Sequence, residues 1–220
     1  GFRPDDLAAA LRTGVLLQSW SLRAAPYLYP AADQAVFTLG VLPRTEADLR
    51  SFLPGLAPAW TALDLPAQKL LSWLLSRLQP ALEGREVTRD ELGIALAQAM
   101  EPKLSPRQLD IWRGPSWISD QQTFGQSAAR FLAYAAALTG RLCHAPRTGR
   151  AAAFRLSQPP VAAPQAAART LAGRFVQAYG PVTPQDLAAW MGVSRAQARA
   201  AWDGLPLVAV PVAGRTAFVA

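Results

Sequence analysis

Residues 174–205, RFVQAYGPVTPQDLAAWMGVSRAQARAAWDGL, decide the fold. The stretch reads as the end of a helix, a Gly-Pro break, a short helix, a tight turn and a second helix. Thr183 is placed to cap the short helix, because its side-chain oxygen can accept the orphan N–H groups of the first turn. Pro184 suits the first helical position and Asp186 the positive end of the helix dipole. Leu187, Ala188, Trp190 and Met191 give that helix one apolar face. Gly192 supplies a left-handed exit, and Ser194 with Gln197 three residues later forms the capping pattern of the next helix. On the second helix Arg195 and Arg199 share one face, while Ala198, Trp202 and Leu205 line another. A basic outer face over an apolar inner one is what a recognition helix needs against phosphates and base edges. Two short β-like runs follow, residues 207–212 and 216–219, with Arg215 at the tip between them. A helix-turn-helix followed by such a hairpin is a winged helix.

Working outward, the same layout recurs. Thr88-Arg89-Asp90-Glu91-Leu92 carries a full capping box after Gly84, and it lies 95 residues before Thr183-Pro184-Gln185-Asp186-Leu187. Ser105 opens another capped helix. A polar loop is expected over residues 116–126, and Ser127 is expected to open SAARFLAYAAALTG with Arg130 exposed. Residues 141–145 and 151–156, joined by Pro146-Arg147-Thr148-Gly149-Arg150, then form a wing. Nearer the N-terminus, LAAALRTG followed by residues 15–23 and 27–29 repeats helix, glycine and hairpin, without the two helices that should precede them. The chain therefore reads as a fragment, or its first unit as incomplete. A helix is expected over residues 31–42, a loop at Pro54, Gly55 and Pro58, and a long apolar core helix after Pro66.

The fold class expected is mainly α with small β-hairpin wings, in tandem winged helix-turn-helix units. Residues 1–60 hold a partial first unit with connecting helices, residues 61–158 a second, and residues 164–220 a third after a proline-rich linker.

Composition narrows the function. The 220 residues are 51% hydrophobic, enough for sizeable cores, yet no apolar run reaches the roughly 20 residues that span a bilayer. One cysteine, Cys143, excludes an internal disulfide and a thiolate zinc cluster, and fits a reducing, cytoplasmic setting. The net charge is +7. Basic and acidic side chains balance over residues 1–83, seven each, whereas residues 84–163 carry ten against six and residues 164–220 five against two. An excess of that kind favours a polyanion, and nucleic acid first.

Candidate DNA-binding residues are Arg195, Gln197 and Arg199 on the recognition helix and Arg215 on its wing. Arg130, Arg141, Arg147, Arg150 and Arg155 belong to the second unit, its wing carrying four arginines and no carboxylate. Trp117 could stack on a base. His144 beside Cys143 reads as structural, and no set of residues has metal-ligand spacing, so neither metal nor cofactor is expected. The partner expected is duplex DNA, with no membrane and a monomeric protein.

RFVQAYGPVTPQDLAAWMGVS (residues 174–194) resembles the RYL-x-AYGPAT-x-x-DFA-x-W-x-GLS signature of winged helix DNA-binding domain-containing proteins. Trp20-Ser21-Leu22-Arg23-Ala24-Ala25-Pro26-Tyr27, with Asp33 downstream, resembles that family's W-x-x-R-G-x-x-H…D stretch. The resemblance runs over the whole chain and implies three tandem winged helices. It implies a place beside the bacterial AlkZ-type glycosylases, which unhook alkylation crosslinks from DNA. Two positions depart from the pattern: Ala24 replaces the family's glycine and Tyr27 its histidine. The Gln-apolar-Gln motif of the glycosylases is absent from this sequence, Gln121-Gln122 being no match, so the resemblance transfers no catalytic residue. Asp33 and Asp120 are carboxylate candidates by elimination only. Function is thus read as duplex binding in a DNA-repair setting, with a DNA glycosylase as the first alternative and a transcriptional regulator as the second.

Overall fold

The computed structural model describes residues 3–146 and 152–220. The wing residues Arg147 and Arg150 lie outside the described residues.

The first stretch contains α1 (Pro4–Arg12) and a hairpin of β1 (Leu16–Trp20) and β2 (Pro26–Pro30), registered Leu17 to Tyr29 and Ser19 to Tyr27. Three short helices follow: α2 (Gln34–Phe37), α3 (Glu46–Phe52) and α4 (Ala57–Leu63). The helix expected over residues 31–42 shrinks to α2 preceded by one 3-10 turn. At Gly40 the segment packs backbone to backbone, since a β-carbon there would meet the Ala167 carbonyl oxygen at 3.1 Å. The loop expected around Pro54 and Pro58 is also corrected. Pro54 opens a 3-10 turn and Pro58 sits in the first turn of α4, where a missing N–H costs nothing. Leu56, Ala59, Trp60 and Leu63 are buried there.

The apolar helix after Pro66 is α5 (Ala67–Leu82), with Leu70, Leu71, Leu74, Leu78 and Leu82 buried. Its first turn is capped from a distance, since the backbone N–H groups of Ala67 and Gln68 both donate to the Glu46 carboxylate at 2.9 Å. Then come β3 (Val87–Thr88), α6 (Arg89–Met100), α7 (Pro106–Arg113) and α8 (Phe124–Ala137). Helix α8 starts one turn earlier than Ser127. Thr123 and Gln126 form its capping box, and Ser127 is buried inside it. Strands β4 (Leu142–His144) and β5 (Ala153–Leu156) complete a sheet of order β3-β5-β4.

The last stretch contains α9 (Pro164–Tyr179), α10 (Pro184–Met191), α11 (Arg195–Trp202), and the hairpin of β6 (Val208–Val212) and β7 (Arg215–Val219). It repeats one pairing of the preceding sheet. Val87, beside the Thr88 cap, pairs antiparallel with Phe154 of the wing, and Val182, beside the Thr183 cap, pairs antiparallel with Phe218. The fold is mainly helical with small hairpin wings in tandem winged-helix units. Buried residues from Trp20 to Trp202 form one continuous cluster, so the stretches share a core. Among the described residues no helix is long and apolar enough to cross a membrane.

Candidate nucleic-acid interface

Helix α10 is capped as its sequence demands. The Asp186 N–H donates to Thr183 Oγ1 at 3.3 Å, and the Thr183 N–H donates back to Asp186 Oδ2 at 2.8 Å. Gly192 ends it at φ +70°. A β-carbon at Gly192 would stand 2.8 Å from the Arg23 α-carbon, so the turn is wedged against the first hairpin.

Helix α11 is fastened on its inner side. Ala198, Ala201 and Trp202 are buried, and the Trp202 ring meets Phe218 of β7 edge-on at 5.6 Å. Ser194 accepts the Gln197 N–H at 3.0 Å and donates its hydroxyl to Asp48 Oδ1 at 2.5 Å. Burial alone would push the Asp48 carboxyl up, but hydrogen bonds from Ser194 and Thr45 outweigh it and hold the carboxyl below the usual range. The long-range Asp48 contact escaped sequence reasoning. Locally, Asp48 only completes the capping box of Thr45 at the start of α3.

The Gln197 side chain also faces inward. It is 5% exposed, and its amide donates to the carbonyls of Val41 at 2.9 Å and Leu42 at 3.2 Å. It neither closes a capping box on Ser194 nor reaches the surface, because two otherwise unpaired carbonyls compete for it. Gln197 is thus a tie between α11 and residues 41–42.

Outward, α11 exposes Arg195, Ala196 and Arg199. With Pro184 and Gln185 from the start of α10 they line a shallow recess of about 270 Å³. Arg195 has no ion-pair partner among the described residues. Arg199 meets Asp203 at 3.6 Å, with both side chains about two-thirds exposed, a pairing worth little in water. The wing turns at Ala213 and Gly214, both at positive φ, and Arg215 is exposed directly after it.

The other candidates are dispersed. Arg130 is not exposed as expected: its side chain is only 14% accessible and forms an ion pair with Asp90. Arg141 is exposed beside Leu75, Gln79 and Ser157, and Arg155 is half-buried on β5 across from Cys143. Trp117 is not an open platform, since its indole donates to the Gly55 carbonyl at 3.3 Å and its ring packs on Phe124 and Phe131. His144 packs against Trp20 and Phe154, with Nδ1 at 3.3 Å from the Gln18 carbonyl oxygen. Asp33 is balanced by Arg174 at 2.7 Å, and that hydrogen bond holds its carboxyl below the usual range. Asp120 is exposed. Among the described residues no group of three His, Cys, Asp or Glu side chains is disposed to hold a metal.

The fold agrees with what comparison with known proteins finds. The family model for DNA glycosylase AlkZ-like proteins matches residues 1–220, and the chain belongs to that family. Among solved structures, Streptomyces sahachiroi DNA glycosylase AlkZ superposes with a TM-score of 0.66 at 23% identity. The match covers 98% of this chain and 55% of that one, so this chain spans little more than half the length of that relative. No curated protein matches it.

Proposed function

We propose that the chain binds duplex DNA, with the outer face of α11 as the principal contact and the β6–β7 wing beside it. One observation carries the reading: Arg195 and Arg199 stand exposed on the second helix of a helix-turn-helix whose inner face is fully engaged. Each arginine can neutralise one backbone phosphate and release its counterion. Arg215 would follow the backbone from the wing, and Arg141 and Arg155 would add contacts from the second unit. Gln197 and Arg130 are left out, because Gln197 is buried against residues 41–42 and Arg130 is ion-paired with Asp90. Tandem units in one chain supply spaced contacts that single-unit proteins obtain by dimerising, so one copy suffices on DNA. The test is duplex affinity against salt for the double variant Arg195→Ala/Arg199→Ala, whose slope should flatten.

Membership of a glycosylase family favours a second reading, excision of an alkylated or crosslinked base. In that role the α11 face positions the duplex, and the chemistry needs a group beside an extruded base. Incubation with alkylated duplex, followed by cleavage at abasic sites, tests it. Abasic sites appearing with the protein support excision, and their absence at stoichiometric protein removes it from this chain.

A further inference from the structure

A second recess, of about 250 Å³, lies away from α11 and is lined by Arg89, Ile118, Gln122, Ser127, Arg130, Phe131 and Tyr134. Its polar groups are joined by a chain of hydrogen bonds. The Ile118 N–H donates to Ser116 Oγ at 3.0 Å, Ser116 Oγ meets Ser127 Oγ at 2.7 Å, and Ser127 Oγ donates to Gln122 Oε1 at 2.9 Å. In this arrangement the Gln122 amide oxygen accepts from Ser127 and its nitrogen is unbonded to any described residue. Arg89 donates to Tyr134 Oη at 2.8 Å, which occupies the phenol oxygen as an acceptor and leaves its own proton to give. Arg89 keeps further N–H groups beyond that bond.

Behind these, Arg130 lies flat across α6 where Gly93 makes room. A β-carbon at Gly93 would stand 2.9 Å from both Cγ and Nε of Arg130. Its guanidinium pairs with Asp90, and its Nε is buried without a hydrogen-bond partner. No carboxylate lines the recess among the described residues. The pocket thus offers donors from Arg89, Gln122 and Tyr134, while the Arg130 charge behind them is already matched by Asp90.

We propose that this recess binds a phosphate group, a second anchoring point that rests on the DNA-binding reading when the phosphate is part of a duplex backbone. Donors from three side chains lining one recess suit the several acceptor oxygens of a phosphate. The same chemistry would accept a free phosphate-bearing molecule, and the two sources give different outcomes.

The experiment follows the side-chain Nε–H signal of Arg130, which burial protects from solvent exchange, during titration with inorganic phosphate and, separately, with duplex DNA. Saturable movement of that signal is expected, weakened about tenfold in Arg89→Gln by loss of one charged hydrogen bond. Arg89 is exposed, so the variant should keep the thermal midpoint of the parent. If the source is the duplex backbone, Arg89→Gln also lowers the salt slope of duplex binding by about one. Saturation by phosphate with an unchanged duplex slope assigns the recess to a free phosphate-bearing ligand. No saturable shift with either titrant overturns the proposal. A duplex that fails to bind at all sinks the DNA reading, and the phosphate titration still decides the recess.

Discussion

Ser194 and Asp48 lie 146 residues apart in sequence and meet at 2.5 Å, hydroxyl to carboxylate. Ser194 caps α11 and Asp48 closes the capping box of α3, so one contact joins two helix starts. The basic face of α11 is therefore held by the first stretch of the chain, not by its own unit alone.

Asp48→Ala removes the acceptor for Ser194 and for the Thr45 N–H in one change. A loss of about 2 kcal/mol in urea unfolding is expected from a lost cap plus unpaired buried donors. The pH dependence has a definite sign. The folded carboxyl sits below its ordinary value of about 3.9, so its contribution is full above that value and fades as pH falls through the lower folded one. The stability gap between the protein and Asp48→Asn should narrow on acidification through that window. A gap constant with pH would mean that the ionised carboxylate contributes nothing.

Gln197→Ala should cost about 2–3 kcal/mol, because it strips the carbonyls of Val41 and Leu42 of their buried donor. The folded fraction should bind duplex with an unaltered salt slope. Loss of DNA affinity at unchanged stability would restore Gln197 as a contact residue.

Ala24 and Gly192 make a pair of opposite sign. Ala24 holds φ +51°, where an L side chain costs roughly 1–2 kcal/mol, so Ala24→Gly should raise the thermal midpoint. Gly192→Ala should lower it by more than that strain alone, since the new methyl would also press on Arg23. A drop no larger than that strain would show that the turn and the first hairpin are not in contact.

Arg215→Ala should weaken duplex binding alike for unrelated sequences, as a phosphate contact does, and leave unfolding within about 0.5 kcal/mol. Comparing two duplexes of different sequence checks it. A preference lost for only one of them would make Arg215 a base reader.

Much of the architecture was legible because local chemistry dictates it. The capping pairs at Thr88, Ser105 and Thr183 all form as their spacing requires. The echo between Thr88 and Thr183 proves to be a shared strand pairing. Errors arose where tertiary contacts outweigh local pattern. Pro54 and Pro58 looked like loop markers, yet proline is at home in a first turn. Gly125 and the polar residues before it hid the start of α8 at Thr123. Gln197 matched a capping pattern, and only the folded chain shows the two carbonyls that claim it. Arg130 looked like any exposed helical arginine, because nothing local reveals that Gly93 and Asp90 lie across from it.

The most direct test of the central claim is duplex affinity measured across a salt series for the parent and for Arg195→Ala/Arg199→Ala. Both side chains are exposed and neither is buried in the core, so the variant should fold as the parent does. Two lost phosphate contacts should flatten the slope of log affinity against log salt by about 1.8. A slope and affinity indistinguishable from the parent would contradict the assignment of α11 as the DNA-binding face.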